Sequence, residues 1–367
     1  MSNKTLVLGI ESSCDETSLA LLDGEGRILS SVVASQVDAH RRFGGVVPEI
    51  AARAHLRNIP PLLDAVLAEA GSGLGDVTLV AATAGPGLVG ALLVGLCEGK
   101  GLAFGLGVPF VAVHHIEAHC LSPFLEPGAV ARAVPARFCA LVVSGGHTHV
   151  FRFEDGRIER LARTRDDAAG EAYDKVAKMA GLGYPGGPVV DRLGRSGRAR
   201  QPFAVPQFKD GTLDFSFSGL KTAVKDRLTA LGRAPLVGIP EAARRVAEAD
   251  APGDLRDLMA DFQEAVVLQL EDRLSRLHDR APIPFLTVSG GVAANSLLRE
   301  RLAAWGRKRG VPTLLPALSL TGDNAAMVAF AGMVRFGRLG AGAGLDAPAR
   351  SRWPLEELSA DAAPPVR

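Results

Sequence analysis

The sequence predicts an α/β protein built from two similar halves. Residues 6–29 and 141–161 each contain an apolar strand, a turn of small and polar residues, a second apolar stretch and an Asp-Gly turn before Arg-Ile. This is the pattern of a β-hairpin with a polar tip. Residues 77–88 and 284–297 each give a buried strand, a glycine turn and a helix start, with Val-Pro after each helix. Matching strand–turn–helix–strand units predict a duplicated fold with largely parallel sheets.

Three segments predict helices. Apolar residues recur at spacings of three and four through 259–280, the period of an amphipathic helix. Residues 170–181 have oppositely charged side chains four positions apart, which also favours a helix. We expect a third helix over 48–70, interrupted near Pro60-Pro61, because proline removes a hydrogen-bond donor and clashes inside a helix.

The composition favours a two-domain globular protein. A chain of 367 residues has the length of about two domains, and 47% hydrophobic with 22% charged residues excludes extensive disorder. The net charge of +1 excludes a strong positive field over the whole molecule. The four cysteines form no CxxC pair, so we expect free thiols and a reducing cytoplasm.

One apolar segment is long enough to be a candidate membrane span. Residues 79–97 are 19 residues without a charge, close to the ~20 that span a bilayer. The Ala-Gly-Pro-Gly at 84–87 marks a tight turn within it. We therefore expect a packed strand, turn and helix here, and no membrane partner.

Two glycine loops are candidates for binding phosphate. Ser144-Gly145-Gly146 and Ser289-Gly290-Gly291 each follow a predicted strand. Backbone amides at such turns can approach a phosphate closely because glycine has no Cβ. A P-loop is excluded, since only three residues separate Gly95 from Gly99, and no GxGxxG opens a helix after the first strand.

A histidine pair suggests a metal site. If a helix starts after the strand ending near His114, His115 and His119 lie one turn apart on one face, the usual spacing for two imidazoles on one metal. The HExxH pattern of zinc proteases needs glutamate directly after the first histidine, but Ile116 stands there and Glu117 comes one position later.

The sequence leaves two roles undecided: that of Asp323 as a third metal ligand, and that of the acidic tip of the first hairpin. Asp323 can complete a set of two His and one Asp that suits ferrous iron or zinc, or it can be the N-cap of the helix that follows. Glu11, Asp15 and Glu16 place three carboxylates within six residues. Such a cluster repels itself unless a metal, a cationic substrate or a proton relieves it, which favours function over a solvated turn.

The motifs of the chain, in order, resemble one family. They are GIESSCDET at 9–17, GGVVPEIAARAH at 44–55, AGPGLVGALLVG at 84–95, HHIEAH at 114–119, LVVSGGHTH at 141–149, DDAAGEAYDKVAKMAGLGYPGGP at 166–188, FSFSGLKTA at 215–223, SGGVAAN at 289–295 and TGDNAAM at 321–327. The chain resembles the bacterial TsaD-type tRNA threonylcarbamoyladenosine transferases, formerly called glycoproteases. The resemblance covers residue 9 to the RWPL at 352–355.

The resemblance implies a fold and a division of the chain. The family has the actin-like, sugar-kinase-like fold (the ASKHA fold) of two duplicated α/β halves, with the active site in the cleft between them. We expect one half to comprise residues 1–113 with 322–367, and the other to comprise residues 114–321.

The resemblance also implies the site residues. The family's metal ligands fall on His115, His119 and Asp323, for one divalent metal, Fe(II) or alternatively zinc. Its nucleotide-binding positions fall on Val142, Val143, Ser144, Gly145, Gly146, Asp174, Gly187, Asp191 and Asn295. In the acidic tip we expect Asp15 and Glu16 to be catalytic, with Asp15 orienting or deprotonating the attacking amine.

The implied reaction is transfer of a threonylcarbamoyl group from threonylcarbamoyl-AMP to the exocyclic amine of the adenosine 3′ of the anticodon. It occurs in tRNAs that read codons beginning with A, and AMP leaves. The implied partners are tRNA, a TsaB-like paralogue and a TsaE-like ATPase, and the expected location is the cytoplasm. The alternatives are an ATPase or phosphotransferase of the same fold, which the histidine pair disfavours, and a metalloprotease, which the displaced Glu117 disfavours. The candidates for contact with tRNA phosphates follow the nucleotide motif directly in the sequence: Arg192, Arg195, Arg198 and Arg200.

Overall fold

The computed structural model describes residues 5–41, 43, 45–236, 247–340, 342 and 344–359. They form two compact units. The first takes its residues from 1–40, 45–135 and 316–367, and the second from 41–44 and 136–315.

Ten strands and ten α-helices are numbered here in chain order. The strands are β1 (Leu6–Glu11), β2 (Glu16–Asp23), β3 (Ile28–Ser35), β4 (Leu79–Gly85), β5 (Phe110–His114), β6 (Arg137–Val143), β7 (Thr148–Glu154), β8 (Arg157–Arg163), β9 (Leu286–Ser289) and β10 (Thr313–Leu314). The helices are α1 (Val37–Arg41), α2 (Pro48–Ala70), α3 (Val89–Leu106), α4 (His115–Leu121), α5 (Ala169–Met179), α6 (Gly186–Ser196), α7 (Ser218–Ala230), α8 (Gly253–Arg280), α9 (Ser296–Arg309) and α10 (Ala325–Leu339). These counts refer to the described ranges.

The two sheets have the same order of strands. In the first unit the order is β3-β2-β1-β4-β5, and in the second β8-β7-β6-β9-β10. In each sheet the first three strands are antiparallel and the last two join in parallel. The predicted duplication is thus confirmed, and each predicted hairpin gains a third strand.

The first sheet packs on α2 and α3 through a hydrophobic cluster, and α10 packs on β1, β2 and β4. Every residue of β1 is buried, as its nearly continuous apolar run requires. Gly9 lets the helix approach the strand closely, because a Cβ there would lie 2.3 Å from the Ala325 carbonyl oxygen. This contact brings the start of α10 to the end of β1.

The predicted interruption of the helix at Pro60-Pro61 is wrong, since α2 runs unbroken over both prolines. The carbonyls that lose their donors belong to Leu56 and Arg57, four residues earlier. Both residues and both prolines are exposed. Water can therefore satisfy those carbonyls, and the buried face of α2 holds the helix in place.

The long apolar segment is a strand, a turn and a helix, as predicted: β4 is followed by α3. By length and composition α3 is the one helix among the described residues that could cross a membrane, with 33% of its 18-residue window buried. A core helix meets the same criterion. Here α3 packs on β4 and α2, with Leu92 and Leu96 buried against the sheet.

The second unit is organised around α8, which packs on α6, α7 and α9. The helices predicted over 259–280 and 170–181 are confirmed as α8 and α5, and α8 begins six residues earlier than predicted. Its buried residues include Leu258, Phe262 and Leu270, which continue the predicted period.

The units differ from the predicted halves in three segments. Residues 316–321 join the first unit and residues 41–44 join the second. Residues 114–135 group with the first unit, whereas the predicted boundary at 113/114 assigns them to the other half. The physical reason is that α4 packs on α10 and that His115 is hydrogen-bonded to Glu11 of β1.

Candidate metal centre and nucleotide loop

Three side chains of the first unit converge on one point. His115 and His119 lie one turn apart on α4, with ring centroids separated by 4.6 Å. Oδ1 of Asp323 lies 3.0 Å from Nε2 of His119 and 3.6 Å from Nε2 of His115. One potential ligand atom from each residue lies within 4.8 Å of the others. The predicted set is therefore assembled as a group that could hold a metal ion.

The alternative role of Asp323 as a helix cap is wrong. The N-cap of α10 is Asn324, whose side-chain oxygen accepts a hydrogen bond from the Met327 backbone N–H at 3.0 Å. Because its neighbour caps the helix, the Asp323 carboxylate is directed to the histidines instead.

Glu11 fixes the orientation of the first histidine. Nδ1 of His115 lies 3.1 Å from Oε2 of Glu11, and Thr83 donates its hydroxyl to the same oxygen at 2.6 Å. The Ser13 backbone N–H donates to the other carboxylate oxygen at 2.6 Å. A carboxylate on one ring nitrogen places the proton there and leaves the Nε2 lone pair for a metal. That lone pair points into the group formed with Asp323.

The charges around His115 favour a cation. Burial would lower the pKa of this histidine, but the carboxylates of Glu11 and Asp323 raise it to about 9. A proton or a metal ion can relieve this negative field, and a metal that binds must displace the proton. Two imidazoles and one carboxylate, with coordination positions left open, suit Fe(II) or Zn²⁺, so the residues present fit a divalent metal.

The acidic tip of the first hairpin lies beside this group. Asp15 is buried, and Glu16 begins β2. The pKa of Glu16 is raised to about 9 by burial, and then by the charges of Asp323 and Asp15. The structure thus brings the two predicted catalytic acids near the third ligand within one unit.

Glu117 is engaged elsewhere. Its carboxylate is buried and accepts a hydrogen bond from Nη1 of Arg335 on α10 at 3.0 Å. A metalloprotease needs a glutamate beside the metal-bound water. This ion pair removes the candidate for that role and disfavours the protease alternative.

The nucleotide loop of the second unit is an open turn between β6 and β7. The Ser144 backbone N–H donates to the His147 carbonyl at 2.7 Å, and its hydroxyl accepts from the His147 N–H at 3.1 Å. Gly145 and Gly146 are exposed, and a Cβ on either would meet no atom within 4 Å. Val142 and Val143 are buried in β6 and hold the turn on the sheet. The loop leaves room for a phosphate.

The remaining nucleotide positions of the second unit also have local roles. Asp174 accepts from the Gly186 N–H at 2.8 Å, just before Gly187, where a Cβ would meet open space. Asp191 accepts from the Ser296 N–H and hydroxyl through Oδ1. Asn295 caps α9 and donates to Gln263 at 3.2 Å.

The arginines predicted near tRNA are partly neutralised. Arg192 forms an ion pair with Glu248 at 2.6 Å, and Arg200 forms one with Asp257 at 2.9 Å. Their charges are therefore less available to phosphates than the sequence suggested.

A groove between α5 and α7 forms a second group of cationic side chains. Its volume is about 370 Å³, and four lysines line it together with Met179, Thr222 and Leu236: Lys175, Lys178, Lys221 and Lys225. Lys175 pairs with Asp167 and Glu171, and Lys221 pairs with Asp167. Lys178 and Lys225 form no ion pair within the ranges that the structure describes. We call this surface the lysine groove.

Sequence comparison identifies close relatives of the chain. The family described as "TsaD: tRNA N6-adenosine threonylcarbamoyltransferase" matches residues 27–330. A protein of that name from Nitratidesulfovibrio vulgaris is 49% identical over 355 residues, which cover 95% of this chain and 96% of the relative. Another from Pelobacter propionicus is 47% identical over 332 residues, 89% of this chain and 91% of the relative.

Solved structures share the fold at low sequence identity. Component A of the (R)-2-hydroxyglutaryl-CoA dehydratase of Acidaminococcus fermentans is 15% identical, with a TM-score of 0.51, and the match covers 91% of this chain and 99% of that one. HypF of T. kodakarensis is 14% identical, with a TM-score of 0.54, over 91% and 48% of the two chains. These matches and the repeated sheet order confirm the expected actin-like fold of two α/β halves.

Proposed function

This chain belongs to the TsaD family and so transfers a threonylcarbamoyl group to an adenosine of tRNA. We propose that the first unit contributes a metal site to that reaction and the second unit a nucleotide site. The single observation that carries the first part is the convergence of His115, His119 and Asp323 beside Glu11. The second part rests on the open loop at 144–146.

The donor in this proposal is threonylcarbamoyl-AMP, and the acceptor is the exocyclic amine of the adenosine 3′ of the anticodon in tRNAs reading codons that begin with A. The amine attacks the carbamoyl carbon, the bond from that carbon to the phosphate oxygen breaks, and AMP leaves with its electron pair. The amine loses one proton. Since the donor is a mixed anhydride with a good leaving group, positioning and charge stabilisation are sufficient.

In the first unit, His115, His119 and Asp323 would hold a divalent metal, Fe(II) or alternatively zinc. A bound metal of this kind acts as a Lewis acid towards phosphate oxygens. Asp15 would accept the proton of the attacking amine, and Glu16 would stand beside it at the hairpin tip. Glu11 keeps the His115 ring in its orientation through Nδ1.

In the second unit, the amides of Gly145 and Gly146 would approach the phosphate of the nucleotide, on a turn that Ser144 closes and that Val142 and Val143 hold on the sheet. The other residues of the proposed nucleotide site are Asp174, Gly187, Asp191 and Asn295. The acids would accept hydrogen bonds from ribose hydroxyls.

Changing Asp191 to asparagine is expected to weaken adenine-nucleotide binding roughly 10- to 100-fold, the equivalent of a charge-assisted hydrogen bond of ~1.5–3 kcal/mol. Calorimetric titration with AMP measures it. The matched control is Ser296→Ala, which removes the hydroxyl that donates to Asp191 but keeps the carboxylate. Equal losses in both variants would mean that Asp191 only supports the start of α9.

We propose the lysine groove as a surface that binds the tRNA backbone. The double variant Lys178→Glu with Lys225→Glu should weaken tRNA binding, and its log–log salt slope should flatten by about 0.7–0.9 for each phosphate that the groove no longer neutralises. AMP affinity should not change. Lys308→Glu, an exposed lysine on α9, is the matched control. A slope identical to that of the unmodified protein would show that tRNA docks elsewhere.

We also propose a TsaB-like paralogue and a TsaE-like ATPase as partners, and the cytoplasm as the location. Exposed apolar side chains on α2 and α3 support a protein partner on the first unit. Leu56 is 63% exposed, Val89 52% and Leu93 46%. Apolar side chains grouped on neighbouring helices are typical of an interface.

A further inference from the structure

A chain of buried hydrogen bonds in the first unit ends at the hairpin tip that carries Asp15. Its members are Val47, His40, Gln36, Thr17, Asn58, His55 and Cys14. His40, His55 and Thr17 are completely buried, and Gln36 is nearly so. Buried polar groups in a fully connected network specify one geometry, because each broken bond leaves an unsatisfied partner.

The direction of each bond at the tip follows from the chemistry of the partners. The Cys14 carbonyl can only accept, so Nε2 of His55, 3.0 Å away, carries the ring proton. Burial lowers the pKa of His55 and keeps the ring neutral. Nδ1 must then accept, and the Thr17 hydroxyl donates to it at 2.8 Å.

The other end of the network runs through Gln36. The Val47 N–H donates to Nδ1 of His40 at 3.3 Å, and Nε2 of His40 donates to the side-chain oxygen of Gln36 at 3.3 Å. The Gln36 amide nitrogen lies 3.5 Å from the Thr17 hydroxyl. The Gln36 backbone N–H donates to the Asp15 carbonyl at 2.9 Å.

These bonds hold both peptide groups that flank Asp15. His55 binds the carbonyl before it and Gln36 binds the carbonyl after it. When both peptide planes beside Asp15 are fixed, the Cα–Cβ bond of Asp15 has only one direction. A displacement of about 1 Å at a reacting group can cost about 10²-fold in rate.

We propose that Thr17 and His55 are positioning residues that fix the backbone from which the Asp15 carboxylate extends. This inference rests on the proposed role of Asp15 in the transfer. Neither side chain is a metal ligand or binds the nucleotide in that proposal, so their effect is confined to the catalytic step.

The test compares two threonines of the first unit. Thr17→Val removes the hydroxyl that orients His55, whereas Thr78→Val removes one that binds the Leu6 backbone at the opposite end of β1. Both variants should lose similar thermal stability. Only Thr17→Val should lower kcat of threonylcarbamoyl transfer, by roughly 10- to 100-fold, with KM for tRNA and the metal content unchanged. Thr17→Ser, which keeps the hydroxyl, should recover most of the rate.

A pair at His55 keeps the inference testable if Thr17→Val does not fold. His55→Gln retains a donor for the Cys14 carbonyl, and His55→Met has a similar length and no donor. The kcat of His55→Met should lie at least about 10-fold below that of His55→Gln. Equal values would overturn the inference.

Asp15→Asn, measured in the same assay, separates the two proposals. If it is inactive while Thr17→Val behaves like Thr78→Val, the positioning role is wrong and the role of Asp15 stands. If Asp15→Asn transfers at the unmodified rate, the role of Asp15 is wrong and the positioning role is wrong with it.

Discussion

Changing Asp15 to asparagine should lower the rate of threonylcarbamoyl transfer by about 10²–10⁴-fold, the range that a positioned general base contributes. The amide keeps the shape of the side chain but cannot accept a proton from the attacking amine. Metal content and AMP affinity stay at their unmodified levels, because Asp15 belongs to neither proposed ligand set. Transfer to unmodified tRNA, with elemental analysis of the same sample, measures this.

Asp23→Asn is the matched control for that experiment. Asp23 also lies in the first hairpin, at the far end of β2, where its carboxylate binds the Glu25 and Arg27 backbone N–H groups. We expect a small loss of stability and a normal rate. A rate for Asp15→Asn equal to that of this control would show that Asp15 takes no part in catalysis.

Changing His115 or His119 to alanine should remove most of the bound metal. Each variant leaves two of the three proposed ligands. Glu11→Gln should keep the metal but bind it about 10- to 100-fold more weakly, the usual effect of losing a partner that orients a ligand. Elemental analysis of protein purified without chelator, followed by titration with Fe(II) and Zn²⁺, measures both effects.

His278→Ala is the control for the histidine variants. Its ring lies on α8 in the second unit and accepts from the Ile283 backbone N–H. Metal content should be unchanged there. If His115→Ala and His119→Ala also retain full metal with native circular dichroism, the metal lies elsewhere in the protein.

The sequence predicted local features of the site well. The spacing of His115 and His119 on a helix needs only the helical period, and the structure has that helix. The turn at 144–146 needs only a strand followed by glycines. The duplication likewise follows from patterns inside each half, and the repeated strand order confirms it.

What the sequence could not predict depends on interactions between distant residues. Glu11 was visible as a member of an acidic cluster, but its bond to His115 joins residues that are far apart in the chain. The signal available was an acid at the end of an otherwise apolar buried strand. The choice between Asp323 and Asn324 as helix cap also required the backbone angles at that turn.

The lysine groove could not be predicted from the sequence either, because it also depends on residues that are distant in the chain. Lys175 and Lys178 on α5 face Lys221 and Lys225 on α7 only because the two helices pack side by side. No spacing within either segment indicates that packing. The partial neutralisation of the predicted arginine group has a related reason, since the acid that pairs with Arg192 comes from a later turn.

The first unit is formed by segments that lie before and after the second unit in the chain, and this affects the order in which the two units can fold during synthesis. Residues 136–315, the bulk of the second unit, emerge from the ribosome before α10, which covers β1 and β2. Domains fold as units during synthesis, so the inserted unit can fold while the first sheet still lacks its central helix. Asp323 is likewise the last member of the proposed metal site to be translated. The group formed by His115, His119 and Asp323 therefore cannot assemble until residue 323 has left the ribosome.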